Sequence, residues 1–160
     1  MVGAYKPVAE FIKLSRKLKF DPTFVNISFV GSDALAQELG DAGEGVIISQ
    51  VVPFPWDTNV PAVAQYQEAL KAVSPDAEPG FVTLEGYLTG RLALTALEAA
   101  GQDLTRASFL DALSGLRDLD FGGVTMTFGP EDNQGMDNVF LTKITKGGGF
   151  EQVSTGDGSS

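Results

Sequence analysis

Tyr5 follows Gly3-Ala4 and Asp33 follows Gly31-Ser32, and each stands where a strand-to-helix transition is expected. A phenol ring offers an apolar face and a hydroxyl, and a carboxylate pairs with a ligand ammonium. Either residue alone reads equally well as a loop side chain. Together, at neighbouring strand ends, they are the candidate ligand contacts. The densest carboxylate cluster is Glu131-Asp132-Asn133-Gln134, between Gly129 and Gly135. Acidic pairs serve glycosidases, and acidic loops bind calcium. This stretch lacks the ligand spacing of a helix-loop-helix calcium site, with no closing glutamate, so it reads as a turn. Gly147-Gly148-Gly149 opens no helix and therefore lacks the donors that cradle a phosphate. Glu85-Gly86-Tyr87 puts a glycine inside a helical pattern at about 1 kcal/mol relative to alanine. Close packing of that helix on a neighbour is preferred there over ligand contact.

The rest of the composition narrows the chemistry. Among 160 residues there are 11 Lys+Arg, 21 Asp+Glu, no histidine and no cysteine, for a net charge of −10. Disulfides, thiolate nucleophiles, Cys/His zinc sites and imidazole-based triads are excluded. No cofactor is implied. A hydrolase working through Asp33 and Asp57 is the poor remaining enzymatic option, so the chain is read as a non-enzyme. Nucleic acid and anionic membranes are disfavoured, because both call for cationic surfaces. No apolar run reaches the roughly 18 to 20 residues of a membrane span, and no basic-then-apolar signal segment opens the chain. Met1-Val2-Gly3-Ala4-Tyr5 reads as the inside of a strand and its exit turn, as though the chain were a piece of a larger protein.

The elements that must position Tyr5 and Asp33 follow from periodicity. Val8, Phe11, Ile12 and Leu18 recur at helical spacing after Pro7, predicting a helix over 7–19. Phe24 to Val30 is β-branched and aromatic. Ser32 is placed to cap a short helix from Asp33 to Leu39 that stops at Gly40. Gly45 to Val52 is a nearly continuous apolar run, as in a strand covered on both faces. This alternation predicts a parallel α/β sheet with ligand sites at the carboxyl ends of its strands. Three prolines, Pro53, Pro55 and Pro61, suggest a crossing between two structural bodies. Beyond it come a helix from Pro61, with Val63, Tyr66, Leu70 and Val73 on one stripe, and a long helix over 82–100 with Leu84, Leu88, Leu92, Thr95 and Ala99. A third, capped by Thr105, carries Phe109, Leu110, Leu113 and Leu116. The last two helices have no strand of their own to cover. The end is expected to be antiparallel, with 123–128 and 138–145 around the turn 129–135, then 150–153 after the glycine turn. Residues 154–160 are Gly/Ser/Thr/Asp and are expected to fray.

Gly3-Ala4-Tyr5 before a helix, Phe29-Val30-Gly31-Ser32-Asp33-Ala34-Leu35, GVIISQVVPFP, Leu84-Glu85-Gly86-Tyr87, Leu104-Thr105-Arg106 and Phe128-Gly129-Pro130 with Phe140-Leu141 form an ordered series. From about residue 1 to 153 it resembles the carboxyl-terminal half of type I periplasmic binding proteins, in the leucine/isoleucine/valine-binding family serving ABC importers. The resemblance implies the Rossmann-like parallel-sheet lobe of that fold over 1–52 and 121–153, ending in an antiparallel hairpin. Residues 56–120 would cross to contribute helices to the amino-terminal lobe, the rest of which is missing. Ligand in that family lies between two lobes, so Tyr5 and Asp33 are implied as the aromatic and acidic contacts from one side. Where amino-acid binders commonly carry Glu, this chain has Asp.

The function implied is periplasmic binding of an amino acid or similar small polar metabolite by hinge closure, with an ABC permease as partner of the full-length protein. The alternative is an extracellular sensory domain built on the same fold. By itself the chain is expected to bind ligand weakly or not at all and to associate as a homodimer through exposed helix stripes and sheet edges.

Overall fold

The computed structural model describes residues 1–153, so the stretch expected to fray, 154–160, lies outside the described residues. In chain order the helices and strands are α1 (Tyr5–Lys17), β1 (Val25–Ile27), α2 (Ser32–Leu39), β2 (Ile47–Gln50), α3 (Pro61–Val73), α4 (Phe81–Ala100), α5 (Arg106–Gly115), β3 (Leu119–Asp120), β4 (Thr125–Met126), β5 (Phe140–Ile144) and β6 (Phe150–Gln152). They form two compact units. One comprises Met1–Phe54 with the described residues from Val139 on, and the other Pro55–Asn138.

The first unit is a four-stranded sheet in the order β1-β2-β5-β6. β1 and β2 are parallel, with Asn26 beside Ile48. The rest is antiparallel: Ile48 lies opposite Thr142, and Ile144 opposite Phe150. The glycine turn closes β5 onto β6 as expected, with Thr145 N–H donating to the Gly149 carbonyl at 2.8 Å. Side chains alternate across a strand, so Asn26, Ile48, Gln50, Thr142 and Ile144 share one face, and all are buried. On that face Ile48 and Ile144 pack with Val8, Ala9 and Ile12 of α1 and Leu35, Ala36 and Leu39 of α2. On the opposite face Val25 and Ile27 remain 45% and 41% exposed.

α1 starts at Tyr5, and its buried positions Val8, Ala9, Ile12 and Ser15 follow the helical repeat, while Arg16 and Lys17 complement the dipole in the last turn. The strand expected within residues 1–5 is absent. Only the Met1 amino group reaches β1, donating to the Val25 carbonyl, and one bond does not make a ladder. Gly31, not Ser32, caps α2. With φ +77° it adopts the left-handed conformation that suits glycine, and its carbonyl accepts the Leu35 N–H at 2.9 Å.

The second unit is helical, with a small two-stranded sheet. α3 has Pro61 at its first position and buries Ala62, Val63 and Tyr66. The Tyr66 hydroxyl accepts the Gly80 N–H at 2.9 Å and shares a hydrogen bond of 2.5 Å with Thr83, which ties α3 to the start of α4. α4 buries Phe81, Leu84, Leu88 and Ala96. Ala99, expected on this stripe, is exposed, as is Val73 at the end of α3. α5 is held at its start by a reciprocal capping box between Thr105 and Ser108, yet it buries no residue at all.

Residues 121–138 group with this unit instead of returning at about residue 121. Gly122, with φ +92°, lies so close to α3 that a Cβ there would sit 3.0 Å from the Ala62 nitrogen, and Ala62 N–H donates to the Gly122 carbonyl. Arg91 of α4 donates to the Phe121 carbonyl at 3.2 Å and stacks over the Phe121 ring at 4.8 Å. The expected hairpin of 123–128 with 138–145 does not form. β4 pairs with β3 instead, and β5 lies between β2 and β6.

Candidate functional site

Tyr5 and Asp33 both belong to the first unit. Tyr5 is the first residue of α1, half-buried against the core, with the Lys6 ammonium 5.9 Å from its ring centre. Asp33 is the second residue of α2. α2 leaves the carboxyl end of β1 through one 3-10 turn, Ser28–Val30, whereas α1 runs into the amino end of β1 through residues 18–24. The two helices pack side by side on the same sheet face. Both therefore start at the carboxyl end of the parallel pair, and the fold brings Tyr5 and Asp33 to that end.

The Asp33 carboxyl is half-buried, and burial pushes its pKa up from the ordinary 3.8, while its own backbone N–H pulls the other way. Among the described residues, the three ion pairs are Lys13–Glu38, Arg16–Asp21 and Lys143–Glu151, so no described cation is ion-paired with Asp33. The arrangement suits a group that gains from an incoming positive charge.

Beneath this end of the sheet lies a polar cluster that the sequence reading missed. Gln50 Nε2 donates to Ser32 Oγ at 2.8 Å and to Thr142 Oγ1 at 3.2 Å, and Thr142 in turn donates to the Ile48 carbonyl at 3.3 Å. Ser32, the first residue of α2, is held from behind in this way. A signal was present: Gln50 interrupts an apolar run at a position of core-facing parity.

Other sequence candidates separate from this site. Asp57 belongs to the second unit and closes a local turn, its Oδ1 accepting Asn59 N–H at 3.1 Å. Glu131 to Gln134 is a loop in which Asp132 Oδ1 accepts the Gln134 N–H at 3.0 Å. Among the described residues no group of three or more His, Cys, Asp or Glu could hold a metal ion. Gly86 does not mediate close packing, since a Cβ built there meets nothing within 4 Å. It lines, with Tyr66, Val73, Val82 and Tyr87, an open apolar groove of about 480 Å³ between α3 and α4. A second groove, of about 430 Å³, runs between α4 and α5 past Leu97, Leu104 and Phe109.

The family model described as periplasmic binding protein matches residues 1–149. Among solved structures the chain is similar to a possible leucine/isoleucine/valine-binding protein from Rhodopirellula baltica SH 1, at 34% identity and TM-score 0.89, over 96% of this chain and 42% of that one. It is also similar to an extracellular ligand-binding receptor from Verminephrobacter eiseniae, at 28% identity and TM-score 0.80, over 93% of this chain and 42% of that one. The fold recurs in a fatty acid ABC transporter substrate-binding protein from Thermomonospora curvata, at 22% identity and TM-score 0.78, over 95% of this chain and 41% of that one. Comparison with curated proteins finds no match. The chain thus spans less than half the length of the solved relatives. With the family model matched over nearly its whole length and the type I fold shared with these relatives, the chain belongs to the periplasmic binding protein family.

Proposed function

We propose that this chain supplies one wall of the solute site of an ABC-importer binding protein, taking an amino acid or a similar small polar metabolite. Asp33 would receive the ligand's ammonium and Tyr5 would pack on its body. The observation that carries this reading is the half-buried Asp33 carboxylate, not ion-paired with any described cation, at the sheet end it shares with Tyr5. The relative at 34% identity, named as a possible leucine/isoleucine/valine-binding protein, supports an amino acid. Asp in place of the longer Glu argues that the ligand's ammonium sits closer to the strand end.

The same reading makes the first unit part of a carboxyl-terminal lobe and the second a segment completing an amino-terminal one, with ligand gripped between lobes by hinge closure. α5, which buries no residue, and the two open apolar grooves support a further body of polypeptide over the second unit. A membrane permease would recognise the closed form, in the periplasm or on the outer side of a membrane. Among the described residues no helix is long and apolar enough to cross a membrane. A sensory receptor domain is the alternative, and a membrane span or kinase segment in the same gene would favour it.

The test is calorimetry with a panel of amino acids on two proteins: this chain, and this chain joined to the remaining part of the Rhodopirellula baltica relative. The joined protein is expected to bind at micromolar concentration and to lose binding in Asp33→Asn and Tyr5→Ala, while the 160-residue chain shows little heat. Undiminished binding in the Asp33→Asn protein, or micromolar affinity in the chain alone, contradicts the proposal.

A further inference from the structure

Asn26, Ser32, Gln50 and Thr142 are each only 1% exposed, in the interior of the first unit. Sheet register puts three of them on one face: Asn26 lies beside Ile48 on one side, Thr142 opposite Ile48 on the other, and Gln50 two residues further along the same strand. Ser32 reaches this group from the first turn of α2. The hydrogen bonds described above use the Gln50 amide nitrogen twice but leave Gln50 Oε1 without a partner. Asn26 is less satisfied still, for neither Oδ1 nor Nδ2 has one.

Buried amides are nearly always hydrogen-bonded, because an orphaned donor or acceptor bears its full desolvation penalty. Rotating the Gln50 amide only exchanges which of its atoms is orphaned, since Thr142 already donates to Ile48. Asn26 and Gln50 are diagonal neighbours on parallel strands, about 8 Å apart at Cα from the strand spacing and rise, a gap that two amide side chains and one small polar molecule can span. The three unmatched atoms comprise one donor group and two acceptors, which is the complement a single water needs.

We propose that Asn26 and Gln50 enclose an internal water site, the water accepting from Asn26 Nδ2 and donating to Gln50 Oε1. The guest is water and not the transported solute, because residues this deeply covered admit only what folds in with them. Its role is to complete the network through which Gln50 holds Ser32 and thereby fixes the first turn of α2, on which Asp33 stands. This inference concerns the interior of the first unit and does not depend on which solute is bound.

Two measurements test it. In the wild-type chain, water-selective NMR is expected to show a long-lived water beside the Asn26 and Gln50 side-chain amides. A direct Asn26–Gln50 hydrogen bond, or no such water signal, overturns the proposal. In urea unfolding, Asn26→Leu and Gln50→Leu are each expected to lower the folding equilibrium constant by about tenfold. The double variant is expected to lose less than the product of the two, by a factor of at least about three, because the bridge can be broken only once. Asn26→Leu folding as well as or better than wild type, or strictly multiplicative losses, would mean that no water joins the two residues. Should either variant fail to fold, the NMR measurement on the wild-type chain still decides between a bridging water and none.

Discussion

Asp33 carries the most specific consequence of any single side chain here. Burial raises its carboxyl pKa in the folded chain above the ordinary 3.8. A carboxyl shifted this way favours folding most when protonated; that contribution is complete below 3.8 and is lost as pH rises through the folded-state value. Asp33→Asn cannot ionise, so it is expected to gain stability relative to the parent as pH rises from below 3.8 towards neutrality, and to converge with it in acid. Urea titrations across that range measure the difference directly. Parallel curves would mean that the carboxylate is as well solvated folded as unfolded. Tyr5 and Asp33 were legible in the sequence because each follows a glycine-containing turn after an apolar stretch. Gln50 and Asn26 were not singled out. Their importance lies in the face they occupy and in what that face packs against, and register sets both.

At the level of helices and strands, periodicity located each α-helix among the described residues to within about two residues, because burying one stripe of a helix leaves a strong repeat. It did less well with strands. β3 and β4 are two residues each, too short to show alternation, and the turn between them packs against α3 at Gly122. Gly86 shows how a local anomaly misleads. Its expected reason, close packing, is absent, and the position is an exposed helix interior with space for a methyl group. Gly86→Ala is therefore expected to stabilise this chain by about 1 kcal/mol in urea unfolding. A loss of stability instead would show that the α3–α4 groove is filled by something a methyl group displaces.

Taken over all its described residues, the protein leaves much apolar surface in water. α5 buries none of its side chains, two apolar grooves flank α4, and Val25 and Ile27 lie open on the sheet face away from α1 and α2. Exposed apolar surface on either unit drives association. Sedimentation velocity of the chain is expected to show concentration-dependent dimers or larger species, whereas a single monomer at all concentrations would count against this. Composition and pattern alone excluded imidazole and thiol chemistry, marked the helices and the parallel pair, and singled out Tyr5 and Asp33, each at the start of a helix, because residue types and repeats are local properties. The pairing of β5 with β2, the capture of residues 121–138 by the helical unit, the loss of the expected opening strand and the buried amide cluster came only with the folded chain. Each depends on contacts between segments far apart in sequence, whose energies no local window contains.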